Sequence, residues 1–275
     1  MDSYSVCEGE VMHRFYVPNL NAPGLDAGDG TIRLDGPVAR QLTTVLRAVT
    51  GDRIRLFDGT GLEWEAEIDH AGRGEVSARL IGAVEPVPEP SIKVTMLLGL
   101  ARPERIELAV QKCTELGAAG FVPVMSERVQ GGTTGSPSAS RLERWQRIAT
   151  EAAEQSGRAT VPGIAAPLPV MDAVPGQLGD RPLLCMWEER GSQSLPLRDA
   201  LEKLKTREGD ELESTGLGVL IGPPGGFSEQ EATAIHDAGA ELVTLGPRVL
   251  RSETAAITVM SAILYEMGDL GDLRG

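Results

Sequence analysis

Residues 217–238 read LGVLIGPPGGFSEQEATAIHDA. Leu217–Ile221 is an uninterrupted apolar run, as in a strand buried on both faces of a parallel sheet. It ends in Gly222-Pro223-Pro224-Gly225-Gly226, which continues neither a strand nor a helix. Ser228, with Glu231 three residues on, makes a capping box and opens a helix over 229–238. Strand, glycine turn and helix form one unit of an open α/β sheet, in which ligands sit beyond the carboxyl ends of the strands. Glycine lets a ligand approach the backbone, and the helix start offers free N–H groups. The loop lacks the Lys-Ser/Thr of a Walker A loop and the spacing of G-x-G-x-x-G. Alone, it fits equally well a turn that only caps.

The next strand end repeats the arrangement. Leu242–Leu245 reads as a strand, Gly246-Pro247 as its turn, and 253–267 as a helix. Arg248, Arg251 and Glu253 fall on or beside the connection, where side chains are free to do chemistry. A solvated loop is the plain reading, but cations at a helix N-terminus oppose the macrodipole. A negative ligand would offset that cost. Further back, Ile92–Leu100, Phe121–Met125 and Leu183–Trp187 read as strands, and Glu104–Leu116, Ser140–Gln155 and Leu197–Lys205 as helices. The alternation predicts an α/β domain with a largely parallel sheet. Within 140–155, Trp145, Ile148, Ala149, Ala152 and Ser156 form the buried face. Arg144 and Arg147 read as partners of Glu151 and Glu154 on the same helix. Gln130–Ser140 reads as a mobile loop and Thr206–Thr215 as an acidic surface loop.

Upstream the pattern changes. Thr31–Asp35, Arg53–Phe57, Leu62–Asp69 and Val76–Ala83 alternate like half-buried strands, with turns at Asp58–Gly61 and Gly72–Gly74. Leu62, Trp64, Ala66 and Ile68 are expected inward, with the intervening acids outward. A short helix from Pro37 carries Val38, Leu42, Val45, Leu46 and Val49 on its apolar face. The proline-rich stretch Glu85–Pro90 is a stiff linker. It divides a mostly β domain, 1–85, from the α/β domain, 86–275.

At 275 residues and 41% hydrophobic, the chain needs no disulfide or metal staple. Its longest apolar stretch, Val94–Ala101, is far short of the ~20 residues that span a bilayer. The acidic start, MDSYSVCEGE, does not read as a signal peptide, and none is expected. Three cysteines and three histidines are scattered, so neither a disulfide framework nor a metal site is expected, and the cytoplasm is the expected compartment. A formal charge of −14 argues by itself against nucleic acid. Yet Arg14, Arg33, Arg40, Arg47, Arg53 and Arg55 crowd the first domain.

Several segments together resemble one family. They are RFYV (14–17), VLR (45–47), QKCTELGA (111–118), RWQRIATEAAEQSGR (144–158), IGPPGGFS (221–228) and LGPRVLRSETAA (245–256). The chain resembles the RsmE-type 16S rRNA methyltransferases of the SPOUT superfamily from about Arg14 to Asp269. The resemblance implies an N-terminal PUA-like β-barrel that helps hold RNA. It also implies a C-terminal α/β domain with a deep trefoil knot, an S-adenosylmethionine site and a homodimer. The implied reaction is methylation of N3 of uridine 1498 in the 16S rRNA of the small subunit, without metal. An assembled 30S subunit is the expected substrate, since an acidic protein binds free RNA weakly.

Cofactor contacts are expected from Met186, Trp187, Ile221, Gly222, Gly225, Gly226, Leu245, Gly246, Val249 and Leu250. Arg251 is the expected stabiliser of charge on the uracil, with Arg248 second and Glu253 a weaker candidate for general base. Arg14 and Arg47, at family motif positions, are expected at RNA. One position departs from the family: Pro224 stands where Glu is usual, so the turn gains stiffness and loses a carboxylate. Two rivals stay open: a SPOUT enzyme with another RNA target, and a silent RNA-binding or assembly factor.

Overall fold

The computed structural model describes residues 12–18, 20, 30–72, 75–128, 136–174, 181–187 and 194–271, without the side chains of 207–211. The N-terminal decapeptide, Arg73, Gly74, Glu188 and 130–135 of the loop expected at Gln130–Ser140 lie outside them. Two compact units result, Met1–Pro88 with Ala153–Thr160, and Glu89–Ala152 with Val161–Gly275.

The first unit contains β1 (Arg14–Tyr16), β2 (Thr31–Leu34), α1 (Gly36–Arg40), β3 (Arg53–Phe57), β4 (Glu63–Gly72) and β5 (Glu75–Val84). They form one sheet in the order β1-β3-β4-β5-β2, antiparallel except for the β1–β3 pair. Successive strand residues point to opposite faces. One face carries the core, with Ile54, Leu56, Ala66, Ile68, Val76 and Ala78 packed on Leu34 and Leu42.

The other face is also covered, which corrects the expected alternation in β4. Leu62 is exposed, whereas Glu63 is buried beside buried Phe57. Residues 153–160 bring buried Ala153, Arg158 and Ala159 into this unit. Arg14 neutralises Glu63 through paired bonds of 3.0 and 2.7 Å. A third donor of Arg14 reaches the Glu154 carbonyl at 3.0 Å, and the guanidinium lies 4.8 Å from the Phe57 ring centre. Buried charge of this kind persists only when paired and hydrogen-bonded.

The helix opened by Pro37 also departs from expectation. After α1 it widens into a π-helix, Gln41–Leu46, closed by the Arg47 N–H on the Leu42 carbonyl. The wider turn breaks the 3.6-residue phase. Leu42 stays buried, while Val45 and Val49, expected on the apolar face, are exposed.

The second unit contains β6 (Val94–Gly99), α2 (Pro103–Leu116), β7 (Gly120–Met125), α3 (Ala139–Ser156), β8 (Gly163–Ile164), β9 (Leu168–Pro169) and β10 (Leu183–Met186). Then follow β11 (Leu195–Pro196), α4 (Leu197–Thr215), β12 (Leu217–Ile221), α5 (Glu229–Asp237), β13 (Glu241–Thr244) and α6 (Ser252–Met267). The last residues of α3 belong to the first unit. The sheet is parallel throughout, in the order β11-β13-β10-β12-β6-β7-β8, with β9 also on β7. Its two faces carry separate cores, one shared with α2, α3, α4 and α6 and the other with α5.

Two charged segments differ from their sequence reading. Residues 206–215, expected as a loop, complete α4, because Leu212 is buried in the core three turns after Leu201. Burial of that leucine outweighs the weak helix preference of Gly209, Asp210 and Ser214 around it. Arg144 pairs with Glu107 of α2 at 2.6 and 2.8 Å rather than with acids of its own helix.

Candidate functional site

The carboxyl ends of β10 and β12 converge on one cavity of about 420 Å³. Its floor comes from β10 and β12: Met186, Trp187 and Ile221 line it and are nearly buried. Trp187 is held by its N–H on the Val243 carbonyl at 2.9 Å. The loop Gly222–Phe227 forms one side. There the Gly226 N–H bonds the Pro223 carbonyl at 2.8 Å, closing a four-residue turn. Pro224 takes the second position of that turn, where the fixed φ of proline is favourable. Gly226 has φ +65°, a conformation that side-chain-bearing residues rarely adopt. Phe227 is buried and packs under Gly222.

This loop is fixed at both edges. At the rear, Ser228 and Glu231 complete the capping box of α5, at 2.9 and 3.1 Å. Buried Glu231 also accepts the Glu127 N–H at 2.8 Å, and the Ser228 hydroxyl donates to Glu127 at 3.1 Å. The segment after β7 is thereby tied to the start of α5, and Arg128 reaches the cavity. At the front, Gly99 of β6 abuts Gly222 and Pro223 closely enough that no side chain fits.

The opposite side is Val249, Leu250, Arg251, Ser252 and Ala255. Arg251 is the N-cap residue of α6, makes no side-chain cap, and is exposed. Arg105, from the first turn of α2, completes the lining. Among the described residues the lining therefore holds three guanidinium groups and no carboxylate. Arg105 has a distant partner, Glu253, at 3.9 Å. Among the described residues, Arg128 and Arg251 have no ion pair or hydrogen bond from their side chains.

Of the residues singled out in the sequence, Met186, Trp187, Ile221, Gly222, Gly225, Gly226, Val249, Leu250 and Arg251 line this cavity. Leu245, Gly246, Arg248 and Glu253 do not. Leu245 packs against the core instead, and Arg248 points into solvent. Glu253 is buried, faces Arg105 and accepts the Ser252 hydroxyl at 3.2 Å. Arg105, Arg128 and Gly99 were missed, although each lies just beyond a strand end or in its first following turn. In the first unit, the Arg14 donors are directed inward and its side chain is 13% exposed, which favours an internal role over RNA contact. Arg47 is exposed and has φ +54°.

Burial pushes the Cys113 thiol up to about 12 and raises Cys185 further, with Glu231 adding to the second shift. Neither is a nucleophile at neutral pH. Among the described residues no group of His, Cys, Asp and Glu could hold a metal ion, and no helix is long and apolar enough to cross a membrane.

The RNA methyltransferase domain family matches residues 88–264. The chain belongs to the RNA methyltransferase family. The PUA domain of RNA methyltransferases matches residues 34–81, so the first unit is PUA-like. Among relatives of this RNA methyltransferase, the ribosomal RNA small subunit methyltransferase E of Synechocystis sp. is 33% identical, over 86% of this chain and 73% of its own. That of Mycobacterium tuberculosis is 31% identical over 90% of both. The crystal structure of the Neisseria gonorrhoeae enzyme of that name, bound to S-adenosyl methionine, superposes with a TM-score of 0.78 at 31% identity, covering 93% of this chain and 98% of that one. A Legionella pneumophila methyltransferase in complex with the same cofactor gives 0.78 at 28% identity and the same coverage.

Proposed function

We propose that this protein methylates N3 of uridine 1498 in 16S rRNA, using S-adenosylmethionine, as a cytoplasmic homodimer acting on the assembled 30S subunit. One observation carries the reading: the loops 222–227 and 249–252 share one cavity with a guanidinium, Arg251, that has no ion pair among the described residues. The residues present fit the cofactor. The cavity is within the size range of small-ligand sites, with an apolar floor and a glycine loop whose backbone a ligand can approach. When bound, S-adenosylmethionine supplies a methyl group already activated on a sulfonium sulfur.

The protein's task is then positioning and charge control. As the new bond forms at N3, the N3 proton must leave, and negative charge spreads over the uracil oxygens. Arg251 offers a fixed cation for that charge, held by the first turn of α6 rather than by a long loop. A preorganised donor of this kind is worth roughly 3–4 kcal/mol at the barrier. Arg47, exposed on the PUA-like unit, supplies RNA contact, whereas Arg14 holds that unit together.

Two further features support the rest of the reading. The outer face of α6 (Thr254, Thr258 and Tyr265 exposed, Ser261 and Ala262 between them) carries no charge, as a helix covered by a second copy would. Strand β10 lies between β12 and β13, which are consecutive in the chain, an order that accords with a threaded, knotted C-terminal domain.

The test is Arg251→Ala. Single-turnover methylation of 30S subunits is expected to fall about 10²-fold or more, with the fold and the calorimetric cofactor affinity retained. Rates near wild type would remove Arg251 from the mechanism. A wild-type protein that gives no heat with millimolar S-adenosylmethionine would refute the enzyme and leave a silent RNA-binding factor.

A further inference from the structure

Three guanidinium groups in one small cavity repel one another unless something negative joins them. One is balanced: Glu253, buried behind the lining, faces Arg105. Arg251 is matched to the uracil in the function proposed above. Arg128 has no partner among the described residues, and it stands beside a cofactor whose sulfonium and ammonium outnumber its single carboxylate. A net cation does not call for a surplus of arginine. The remaining partner of the reaction does, because each nucleotide brings a phosphodiester.

We infer that Arg105 and Arg128 clamp an RNA backbone phosphate next to the target uridine at the mouth of the cavity. Three observations carry this. Arg128 lines the cavity yet is exposed, so it faces the side from which a macromolecule arrives. The residue before it, Glu127, is attached to both Ser228 and Glu231, which anchors the backbone from which Arg128 extends. Arg105 comes from a different element, the first turn of α2, with Glu253 as the positioning residue that holds its stem end. Two planar forks from separate elements match an oxyanion with paired acceptors, a geometry that arginine serves better than lysine. The clamp also explains how a chain of net charge −14 holds a polyanion. Positive charge is concentrated where the base enters, and the negative remainder discourages binding elsewhere.

The inference rests on the proposed function, and the two fail differently. The full-length protein is compared with Arg128→Gln, Arg105→Gln and Arg128→Lys. Cofactor affinity is read by calorimetry, and kcat/KM on 30S subunits is read across a salt series. Each glutamine variant is expected to raise KM about 5–30-fold at unchanged cofactor affinity. Each should also flatten the slope of log kcat/KM against log salt by about 0.7–0.9, the signature of one lost phosphate contact. The lysine variant keeps the slope. Because Arg105→Gln also strips Glu253 of its partner, Arg128→Gln is the deciding variant. If cofactor affinity drops in step with KM, the anion is the cofactor's carboxylate and the inference is wrong. An unchanged slope overturns it as well, while leaving the methyltransferase standing. Failure of the wild-type protein to bind S-adenosylmethionine removes both.

Discussion

Gly99 is where the sheet touches the loop Gly222–Phe227, and Gly99→Ala is the sharpest single test of the proposed site. A Cβ there would lie 2.5 Å from the Pro223 nitrogen, 2.7 Å from the Gly222 carbonyl carbon and 2.8 Å from Pro223 Cδ. Ordinary contacts between such atoms are about 3.5–4.0 Å, so roughly 1 Å must be found. The atoms struck are backbone or proline ring, so no rotamer change relieves the clash. Overpacking of this kind costs about 1–3 kcal/mol. The cost has two outlets. If strand and loop hold their places, the fold bears the strain, and Tm drops by about 2–4 °C per kcal/mol for a chain near this size. If the loop swings away, the fold is spared, but cofactor binding must drive it back, weakening affinity about 5–150-fold. Thermal unfolding and calorimetric titration with S-adenosylmethionine, run on the same preparation, read both outlets. Gly82→Ala is the control, since a Cβ there meets nothing within 4 Å. A Gly99→Ala protein with both Tm and cofactor Kd at wild-type values would refute the placement of this loop.

Arg14→Ala should destabilise the protein by about 3 kcal/mol, because it leaves the buried Glu63 carboxylate with only the longer ion pair to Arg55 at 3.7 Å; chemical denaturation measures this, and a loss of RNA affinity at unchanged stability would contradict it. The Glu107 carboxyl is held below its ordinary range, first by the hydrogen bond from Arg144. A depressed folded-state pKa gives stability that is present above the ordinary carboxylate value and lost as pH falls through the depressed one. The stability gap between wild type and Arg144→Ala should therefore be small but constant above about pH 5 and close as the solution is acidified below the usual glutamate pKa of about 4.3, which a pH series of denaturant midpoints will show. Cys113 and Cys185 should resist alkylation at pH 8 until the protein is denatured, as peptide mass spectrometry would report; labelling in the native state would contradict their burial.

Much of the α/β unit was legible because its signals are local. The run Leu217–Ile221 and the Ser228–Glu231 box need no distant partner to be read, and both appear at the expected residues. The same holds for the nine cavity residues found at strand ends. Misreadings arose where a distant segment decides the outcome. Glu63 looked like one of four solvent-facing acids, and it is Arg14, with Arg55 and residues 153–160, that makes its burial tolerable. The acidic end of α4 looked like a loop because one leucine, Leu212, carries it. Arg105 and Arg128 carry no mark of their own. Any charged residue at a helix start or after a strand reads as a solvated surface until the topology sets β6 beside β12 and β7 beside β6. Val45 and Val49 failed for another reason: a π-turn is a change of period inside an element, and amphipathic spacing assumes one period.

The return of residues 153–160 to the first unit has a consequence for biosynthesis. The backbone N–H of Tyr16 waits for the Glu154 carboxylate, and that of Gly61 for the Ala159 carbonyl. A ribosome making roughly 5–20 residues per second takes several seconds to travel from Pro88 to Thr160. Throughout that interval the nascent PUA-like module lacks its closing piece. Release of a properly finished module is thus coupled to translation of the first part of the catalytic unit, and a chain aborted at the proline linker would emerge with an open flank for chaperones or proteases to find.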